Sequence, residues 1–383
     1  GPPLADSYDG LLWWVQVSDI HLSNTKLDRI QRFATLVEAT LPALRPKMVL
    51  MTGDITDANK PANMMYRGQN KDEWDMYRSA LRGVPAGNIP WLDVRGNHDA
   101  FNVPWCVLPP VRGHWVRWSG GRWVLPHSDP AVPRFGRYRF VCIDSVVRPA
   151  PTRHFFGELS TPAVDELVEV LHQDDGPFNL TIAFGHYPSN TIVTTHTHDA
   201  NDGTMAGQHT LPEMLDGHGV VAYLSGHLHK FLGPGNTLYA RPPRGPLELE
   251  LGDFKYTSRF RVLAADGDVV SFVDTHLNQW PVVLVTNPKD ATFLSEHEAL
   301  ARMATSTHVR VLVFPEAGDR VVSVTVSVDG ADVWTGSDGQ PPLWTAPWPT
   351  PPADLEAGLH TISVVANTAA GSSHTHSHKF SVD

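Results

Sequence analysis

The chain has 383 residues, of which 42% are hydrophobic and 19% charged, enough to bury the cores of about two or three domains. Its formal net charge of −11 argues against a nucleic-acid partner, because binding to a phosphate backbone requires a basic surface. The two cysteines exclude a disulfide framework, although one bridge between Cys106 and Cys142 stays open. The sequence has no apolar run of about 18 residues, so we expect the chain as given to be soluble.

Strand-like and helix-like patterns alternate over residues 13–99. Three short apolar runs, each typical of a buried strand, end in a polar motif that contains acids, an amide or imidazoles. The runs and their motifs are 13–17 with Asp19-Ile20-His21, 48–51 with Gly53-Asp54, and 91–94 with Gly96-Asn97-His98-Asp99. Apolar residues at helical spacing fill the intervals, over 30–41 and 71–81. The alternation predicts a layered α/β core, in which ligands gather beyond the carboxyl ends of the strands.

The alternation continues with a strand over 138–143 and a helix over 161–171. Two further strands then end in histidine motifs. These strands and motifs are 181–184 with Gly185-His186, and 220–224 with Gly226-His227-Leu228-His229. We expect the strand-like runs at 247–251, 259–264 and 269–274 to complete a second sheet, with a hairpin turn at Gly267.

Beyond residue 277 the polar motifs stop and short β-branched runs follow, separated by turn residues. This spacing predicts a β-sandwich of about 100 residues that is Ig-like, although it lacks the cysteine pair of a true immunoglobulin domain. We therefore expect an α/β domain over 11–277 and an all-β Ig-like sandwich over 278–383. His374, His376 and His378 alternate and share one face of the last strand, which we expect to face solvent, with adventitious metal binding as the alternative.

The five motifs together supply carboxylates, imidazoles and one amide, a set suited to two borderline divalent or trivalent cations such as Mn, Fe or Zn. The carboxylate of Asp54 can bridge both ions, and the glycines allow the backbone to approach closely. Two such ions hold the attacking and leaving oxygens of an in-line phosphoryl displacement and lower the pKa of bound water. The candidate ligands are Asp19, His21, Asp54, Asn97, His186, His227 and His229.

The five motifs resemble the complete signature of the calcineurin-like metallophosphoesterases. The resemblance implies a four-layer α/β/β/α sandwich and a hydrolase of phosphate esters whose nucleophile is a metal-bound hydroxide. It implies one metal at Asp19, His21, Asp54 and His229, and another at Asp54, Asn97, His186 and His227. His98 is implied as the histidine that contacts phosphate and protonates the leaving group, with Asp99 or another nearby acid holding its ring protonated.

Longer stretches, over 91–102, 247–254, 280–284 and 286–289, resemble the transmembrane protein 62 family. That family carries a phosphoesterase domain, an Ig-like domain and then membrane helices. The resemblance implies a parent protein that is anchored in a membrane beyond this chain, with this part lumenal or extracellular. Phosphodiesters are the preferred substrate class, for example a lipid or glycolipid headgroup or a nucleotide. The alternatives are a phosphomonoesterase and a non-catalytic scaffold or adhesion module that binds through the Ig-like domain.

Other residues are candidates for substrate contacts, each weighed against an ordinary position on a strand or in a solvated loop. These candidates are Arg95, His154, His196, His198 and His209. Asn179 begins an Asn-Leu-Thr sequon and is a candidate glycosylation site if the chain is lumenal. Cys142 lies in an apolar strand-like run, which favours a buried thiol over a bridged one.

Overall fold

The structure, a computed structural model, describes residues 4–58, 68–82, 89–101, 122–124, 136–147, 155–172, 178–194, 210–229, 238–336 and 339–382. The helices are α1 (Leu27–Thr35), α2 (Leu41–Leu44), α3 (Lys71–Arg82), α4 (Thr161–His172), α5 (Leu211–Asp216), α6 (Phe254–Thr257) and α7 (Ala301–Ala304). A π-helical segment over 36–40 joins α1 to α2. The strands of the first domain are β1 (Leu11–Val17), β2 (Val49–Thr52), β3 (Trp91–Val94), β4 (Arg122–Val124), β5 (Tyr138–Ile143), β6 (Gly157–Leu159), β7 (Leu180–Gly185), β8 (Ile192–Thr194), β9 (Val220–Ser225), β10 (Tyr239–Ala240), β11 (Leu247–Glu250), β12 (Arg259–Asp266) and β13 (Val269–His276).

Two mixed sheets form the centre of the first domain. The first has the strand order β13-β12-β1-β2-β3, and the second has the order β10-β11-β9-β7-β5-β4. Strands β1, β2 and β3 run parallel, as do β5, β7, β9 and β11. The carboxyl ends of neighbouring parallel strands meet at one edge of a sheet, which brings the motifs after β1, β2 and β3 together, and likewise those after β7 and β9.

The expectation that all three runs after residue 246 complete the second sheet is wrong for two of them. Only β11 joins that sheet, where it pairs parallel with β9. β12 instead pairs antiparallel with β1, from Leu11 opposite Asp266 to Gln16 opposite Arg261, and the β12–β13 hairpin extends the first sheet. An apolar run indicates a buried strand but does not indicate its partner, because pairing joins residues far apart in sequence.

Alternation along β1 divides its side chains between two cores. Leu12 and Trp14 lie between the two sheets, where Trp14 packs edge-on against Phe140 of β5 with ring centroids 5.5 Å apart. Val15 and Val17 point the other way, into a core covered by α1 and α3. Helices α4 and α5 cover the outer face of the second sheet. The expected α/β/β/α layering is thereby confirmed.

The second domain is a sandwich of two antiparallel sheets, as the sequence predicts. One sheet has the order β14-β15-β18 and the other the order β17-β16-β19-β20. Valines of both sheets and Trp344 fill the core between them. The strands are β14 (Val282–Asn287), β15 (His308–Phe314), β16 (Val321–Val328), β17 (Ala331–Gly336), β18 (Leu343–Pro347), β19 (Leu359–Thr368) and β20 (Ser373–Ser381).

The apolar core under α1 and α3 continues across the boundary into the second domain. Leu284 and Phe314 belong to it, and the ring of Phe314 lies 5.9 Å from that of Trp13. A buried ion pair between Arg310 and Asp266, 2.8 Å from Nε to Oδ2, adds a polar link across the same junction. The domain boundary near residue 277 stays a prediction, but the two parts share one continuous core.

The expectation that the histidine face of the last strand is exposed to solvent is wrong. His376 pairs across the sheet with Val364, and His378 pairs with Ile362, both of which are buried in the sandwich core. Directly opposed residues of neighbouring strands share a face, so these half-buried histidines lie on the inner side. They line a cavity of about 230 Å³ between the two domains, together with Phe272.

Candidate metal centre

The loops that follow β1, β2, β7 and β9 are joined by backbone hydrogen bonds at one edge of the two sheets. The N–H of Asp19 donates to the carbonyl of Gly53 at 3.0 Å, and the N–H of His21 donates to that of Asp54 at 2.9 Å. On the other sheet, the N–H of Gly226 donates to the carbonyl of His186 at 2.9 Å. These bonds satisfy buried backbone groups and fix the loops against one another.

Five of the seven predicted ligands have left-handed backbone, a conformation that non-glycine residues rarely adopt. Strain of this kind concentrates at functional sites, where the surrounding structure compensates for it. The φ angles are 55° at Asp19, 42° at His21, 52° at Asp54, 82° at His227 and 57° at His229. The sequence contains no signal for this strain, because none of these positions is a glycine.

Two glycines allow the close approach that the motifs predict. Gly53 has a φ of 90°, and a Cβ there would lie 2.5 Å from Nδ1 of His186. A Cβ on Gly96 would lie 2.1 Å from the Oδ1 atom of Asp54. Any larger residue at either position would displace a predicted ligand, so the expectation about these glycines is confirmed.

The first group of potential ligands is Asp19, His21, Asp54 and His229, whose ligand atoms all lie within 4.8 Å of one another. The Nε2 atom of His229 lies 2.8 Å from Asp19 Oδ1. The Nε2 atom of His21 lies 3.3 Å from Asp54 Oδ2 and 3.7 Å from Asp19 Oδ1. This group coincides with the set that the family resemblance implies for one metal.

The second group is Asp54, His186 and His227, whose ligand atoms also lie within 4.8 Å of one another. The Nε2 atom of His186 lies 3.5 Å from Asp54 Oδ1, 3.1 Å from Asn97 Oδ1 and 3.1 Å from Nδ1 of His227. Asp54 belongs to both groups and turns a different oxygen toward each. All seven predicted ligands therefore meet at one place, and their ligation of metal stays a proposal.

The hydrogen bonds of the imidazoles show that the donor set suits cations. Nδ1 of His186 faces the carbonyl of Thr52 at 2.8 Å, and Nε2 of His227 faces that of Phe155 at 2.9 Å. Carbonyl oxygens only accept hydrogen bonds, so Nδ1 of His186 and Nε2 of His227 carry the ring hydrogens. When both rings are neutral, Nε2 of His186 and Nδ1 of His227 are therefore lone pairs that face each other at 3.1 Å. Such a pair is repulsive unless a cation lies beside it. His21 adds two ring nitrogens that are 0% exposed and make no hydrogen bond among the described residues.

Charge in the site favours ionised carboxylates. Burial alone would raise the pKa of Asp54, but the nearby His186, His98 and His21 outweigh it and hold that pKa at about 2. Burial is likewise outweighed at Asp19 by the charge of His229 and by hydrogen bonds, so its pKa lies well below the usual range. Both carboxylates are therefore anionic at neutral pH, as metal ligation requires.

His98 lies beside this centre with its ring held by a backbone group. Its Nδ1 atom is 2.8 Å from the carbonyl oxygen of Asp57, and its Nε2 atom is 3.9 Å from Asp54 Oδ2. Burial lowers the pKa of His98 to about 4, although the charge of Asp54 opposes this. The negative charge of Asp54 favours the protonated ring, and the expectation that a nearby acid holds the ring protonated stays a prediction.

Asp99 contacts the backbone rather than the ring of His98. Its two oxygens accept hydrogen bonds from the N–H groups of Ile55, Thr56 and Gly96, at 2.9 to 3.0 Å. The hydroxyl of Thr56 donates a fourth bond at 3.0 Å. Asp99 thus ties the loop after β2 to the loop after β3, and its expected catalytic role stays a prediction.

Sequence reasoning missed Asp57. Its Oδ1 atom lies 3.5 Å from Nδ1 of His21 and 3.0 Å from Nη1 of Arg29, while its carbonyl holds His98. Arg29 is buried and also donates to the carbonyl of His21 at 2.9 Å. A carboxylate behind a metal-ligating histidine orients the ring and raises its basicity. The sequence Asp54-Ile55-Thr56-Asp57, with a second acid three residues after a predicted ligand, was the available signal. His21, Asp57 and His98 also form a third group of potential ligands.

The candidate substrate contacts fare differently. Arg95 is 3% exposed and forms an ion pair with Asp144, so its charge is neutralised within the protein and the alternative of an ordinary buried position describes it better. His154, His196, His198 and His209 lie outside the described residues. Cys142 is a buried free thiol, and Cys106 also lies outside the described residues.

Asn179 lies at an exposed position, but its side chain is engaged. Its Oδ1 atom accepts from the N–H of Arg137 at 2.9 Å, and its Nδ2 atom donates to Asp268 at 3.0 Å. A glycan on Nδ2 would replace one of its two hydrogens, the other remaining for the bond to Asp268. Glycosylation stays a prediction.

The family profile described as calcineurin-like phosphoesterase matches residues 13–231, a span that contains all five motifs. The chain belongs to the calcineurin-like phosphoesterases. A second profile, the TMEM62 Ig-like domain, matches residues 277–383. These matches confirm the expected fold class, the phosphoesterase class of enzyme and the resemblance to the transmembrane protein 62 family.

Two curated relatives show how this phosphoesterase compares with longer proteins. The mouse (Mus musculus) protein Transmembrane protein 62 is 36% identical over 99% of this chain and 56% of its own length. A protein of Arabidopsis thaliana, named as a metallophosphoesterase, is 27% identical over 74% of this chain and 43% of its own length. The chain thus spans about half the length of both relatives. A purple acid phosphatase from yellow lupin (Lupinus luteus), 12% identical, covers 73% of this chain and is itself covered to 54%, with a TM-score of 0.41.

Within the part of the chain that the structure describes, no helix is both long and apolar enough to cross a lipid bilayer.

Proposed function

We propose that this calcineurin-like phosphoesterase hydrolyses phosphodiesters with a pair of bound metal ions. The observation that carries the proposal is the sharing of Asp54, whose Oδ2 atom faces His21 and whose Oδ1 atom faces His186. One ion would be held by Asp19, His21, Asp54 and His229, and the other by Asp54, Asn97, His186 and His227. When bound, such ions stabilise the attacking and leaving oxygens of a phosphoryl displacement and make water acidic enough to act as a nucleophile.

Mixed oxygen and imidazole donors favour Mn, Fe or Zn as the native ions. The chain's own residues supply the remaining functions. The loops after β1, β2, β7 and β9 orient the ligands, since their backbone hydrogen bonds leave the side chains little freedom. His98 is directed by the Asp57 carbonyl so that its Nε2 atom faces the shared carboxylate, where it can contact the phosphate and, when both ring nitrogens are protonated, donate the Nε2 proton to the leaving oxygen.

Two buried arginines near the site are each paired with an aspartate, and this supports a preference for diesters over monoesters. A monoester carries about one more negative charge than a diester at neutral pH, since its second pKa is about 6. Arg29 pairs with Asp57, and Arg95 pairs with Asp144, so both charges are already neutralised within the protein. Neither side chain is available to bind the additional charge of a monoester.

The test is turnover of bis(4-nitrophenyl) phosphate with added Mn²⁺, beside 4-nitrophenyl phosphate as the monoester. We expect hydrolysis of the diester that a chelator abolishes and that Mn²⁺ restores, with the monoester turned over more slowly. Faster turnover of the monoester would overturn the preference and leave a phosphomonoesterase. Absence of turnover on both esters by protein that binds two metals would instead favour the non-catalytic scaffold.

We further infer that the chain is part of a membrane-anchored protein, with this portion lumenal or extracellular. The name of the mouse relative, Transmembrane protein 62, and its identity across 99% of this chain support the inference. A lipid or glycolipid headgroup or a nucleotide stays the preferred kind of substrate.

A further inference from the structure

Two aromatic rings beside the second ligand group stay uncovered. Phe155 is 41% exposed and Phe156 is 55% exposed, and the two rings meet edge-on with centroids 5.3 Å apart. Single exposed apolar residues are ordinary on protein surfaces, but phenylalanine is usually buried, and two touching exposed rings at a catalytic centre form a patch.

The patch is fixed to the metal centre. The ring centroid of Phe155 lies 4.6 Å from that of His227, and the Phe155 carbonyl accepts the hydrogen bond from His227 Nε2 at 2.9 Å. Tyr187, which is fully buried, lies next to His227 at 4.6 Å as well. Among the described residues, His227 thus lies between the buried ring of Tyr187 and the exposed ring of Phe155, and of these two the ring of Phe155 is the one that can meet a ligand.

The chain segment under the patch is closely packed. The N–H of Glu158 donates to the carbonyl of Ser145 at 2.7 Å, and β6 pairs in parallel with β8. A Cβ on Gly157 would lie 2.8 Å from Ser145 Oγ and 2.9 Å from Tyr187 Cδ2, so the backbone after the rings lies tightly on the protein. The two rings are therefore held on a fixed support and need little ordering when a ligand binds.

The position of His98 decides which part of a substrate would meet the patch. His98 lies beside the first ligand group, with its ring 4.4 Å from that of His21, whereas Phe155 lies beside His227 of the second group. If His98 protonates the leaving oxygen, the leaving group lies on the side of His98. The group that extends toward Phe155 is then the one that stays bonded to phosphorus. A monoester has no such group, whereas a diester has one.

We propose that Phe155 and Phe156 form a subsite for the retained arm of a phosphodiester, and that this arm is apolar or aromatic rather than a small polar alcohol. The inference rests on the proposed function. The aromatic faces and edges supply contact area and ring stacking without a charged partner. The retained arm would pack against the two rings while the phosphate is held at the metal ligands.

The test uses two phosphinates, diphenylphosphinate and dimethylphosphinate, which carry the single charge of a diester but have no ester bond to cleave. Binding of each to the metal-loaded full chain is measured by calorimetry, so the readout does not depend on turnover. We expect diphenylphosphinate to bind roughly tenfold more tightly, a difference that two ring contacts account for. The double variant Phe155→Ala with Phe156→Ala should lose the difference, with the affinity for dimethylphosphinate unchanged.

Tyr256→Ala is the matched control, since Tyr256 is 64% exposed and its hydroxyl accepts from Arg29 beside the first ligand group. It should keep the preference for the phenyl probe. Metal content is measured in every variant, because the carbonyl of Phe155 supports His227 and is retained in alanine. If the wild-type protein hydrolyses diesters but binds both phosphinates equally, the subsite is overturned while the proposed function stands. A loss of the preference in Tyr256→Ala would place the subsite elsewhere, and absence of binding together with absence of turnover would overturn the proposed function as well.

Discussion

The Nδ1 atom of His98 lies 2.8 Å from the carbonyl oxygen of Asp57. Because a carbonyl can only accept, Nδ1 carries a hydrogen and the other ring nitrogen, Nε2, faces Asp54 at 3.9 Å. The backbone of His98 is fixed as well, since its N–H donates to Asp54 Oδ1 at 2.9 Å. His98 is therefore oriented toward the shared carboxylate from two sides, which suits a residue that acts on a phosphate held there.

His98→Ala should keep both metals and lose roughly 10²–10⁴-fold in turnover of an alkyl phosphodiester, the range typical of general acid catalysis. The loss should be visibly smaller on a nitrophenyl ester, because a nitrophenolate departs readily as an anion and needs the proton less. The measurement is a pair of turnover rates on two diesters that differ only in leaving group, with metal content determined alongside. Equal losses on both esters would mean that His98 only positions the phosphate. Loss of a metal would make it a ligand, as the group of His21, Asp57 and His98 allows.

Asp54→Asn should lose both metals, since the amide removes the negative charge and one of the two oxygens that face the ligand groups. Elemental analysis after dialysis should show less than one metal per chain, and the midpoint of thermal unfolding in the presence of metal should fall toward that of the chelated wild type. Retention of two metals per chain would contradict the assignment of Asp54 as the bridging ligand.

Asp99→Ala should destabilise the protein even without metal. It leaves the N–H groups of Ile55, Thr56 and Gly96 without their acceptor, and a buried unpaired donor costs about 1–3 kcal/mol. Urea unfolding in the presence of chelator should show a lower free energy of unfolding by about 3 kcal/mol or more. An unchanged free energy of unfolding with a large loss of turnover would instead support the catalytic role that the sequence predicts for Asp99.

The two domains should unfold in a single transition, because Leu284 and Phe314 of the Ig-like part belong to the core under α1 and α3. Phe314→Ala should lower the free energy of unfolding by about 3–5 kcal/mol and shift the whole transition. Removal of residues 278–383 takes away no predicted metal ligand but exposes this shared face. Calorimetry that resolves two separate transitions in the full chain would show that the domains are independent.

Acid should weaken the protein through the histidines at the domain junction. Burial, with the nearby His378 and His374, lowers the pKa of His376 to about 4, and the charge of Asp290 opposes this only in part. The unfolded chain, with an ordinary histidine pKa of about 6.5, therefore takes up the proton first, so stability falls as the pH drops from about 6.5 to about 4. His376→Gln should flatten this part of the stability profile, measured by urea unfolding at a series of pH values.

His360→Gln is the control for that experiment. Hydrogen bonds to Asp329 and Glu356 raise the pKa of His360, so its contribution to stability is present at low pH and is lost as the pH rises through the folded pKa. Its removal should not flatten the acid slope. If the acid slope of stability against pH is unchanged in His376→Gln, protonation of His376 does not account for the loss of stability at low pH.

Much of the fold and of the site follows from local patterns in the sequence. Apolar periodicity marks β1, β2, β3, β7 and β9, and polar motifs follow each of these strands directly. Neighbouring parallel strands bring their carboxyl ends together, so the convergence of Asp19 with Asp54 in the first sheet, and of His186 with His229 in the second, could be predicted. The types of side chain then indicate metal ions, since without a cation neighbouring carboxylates repel one another and imidazole lone pairs that face each other stay unpaired.

Contacts between distant residues decided the rest. The pairing of β12 with β1, the carbonyl of Asp57 on the ring of His98 and the inward turn of His376 depend on partners that no local pattern names. Asp99 shows the limit most clearly, because its position next to His98 suggests a partner for the ring while its carboxylate is used by three backbone N–H groups. The sequence by itself determined which side chains can bind metal and where along the chain they lie. Only the tertiary structure decided their hydrogen-bond partners, their burial and hence their charge, because these depend on atoms that folding brings within 3 to 4 Å.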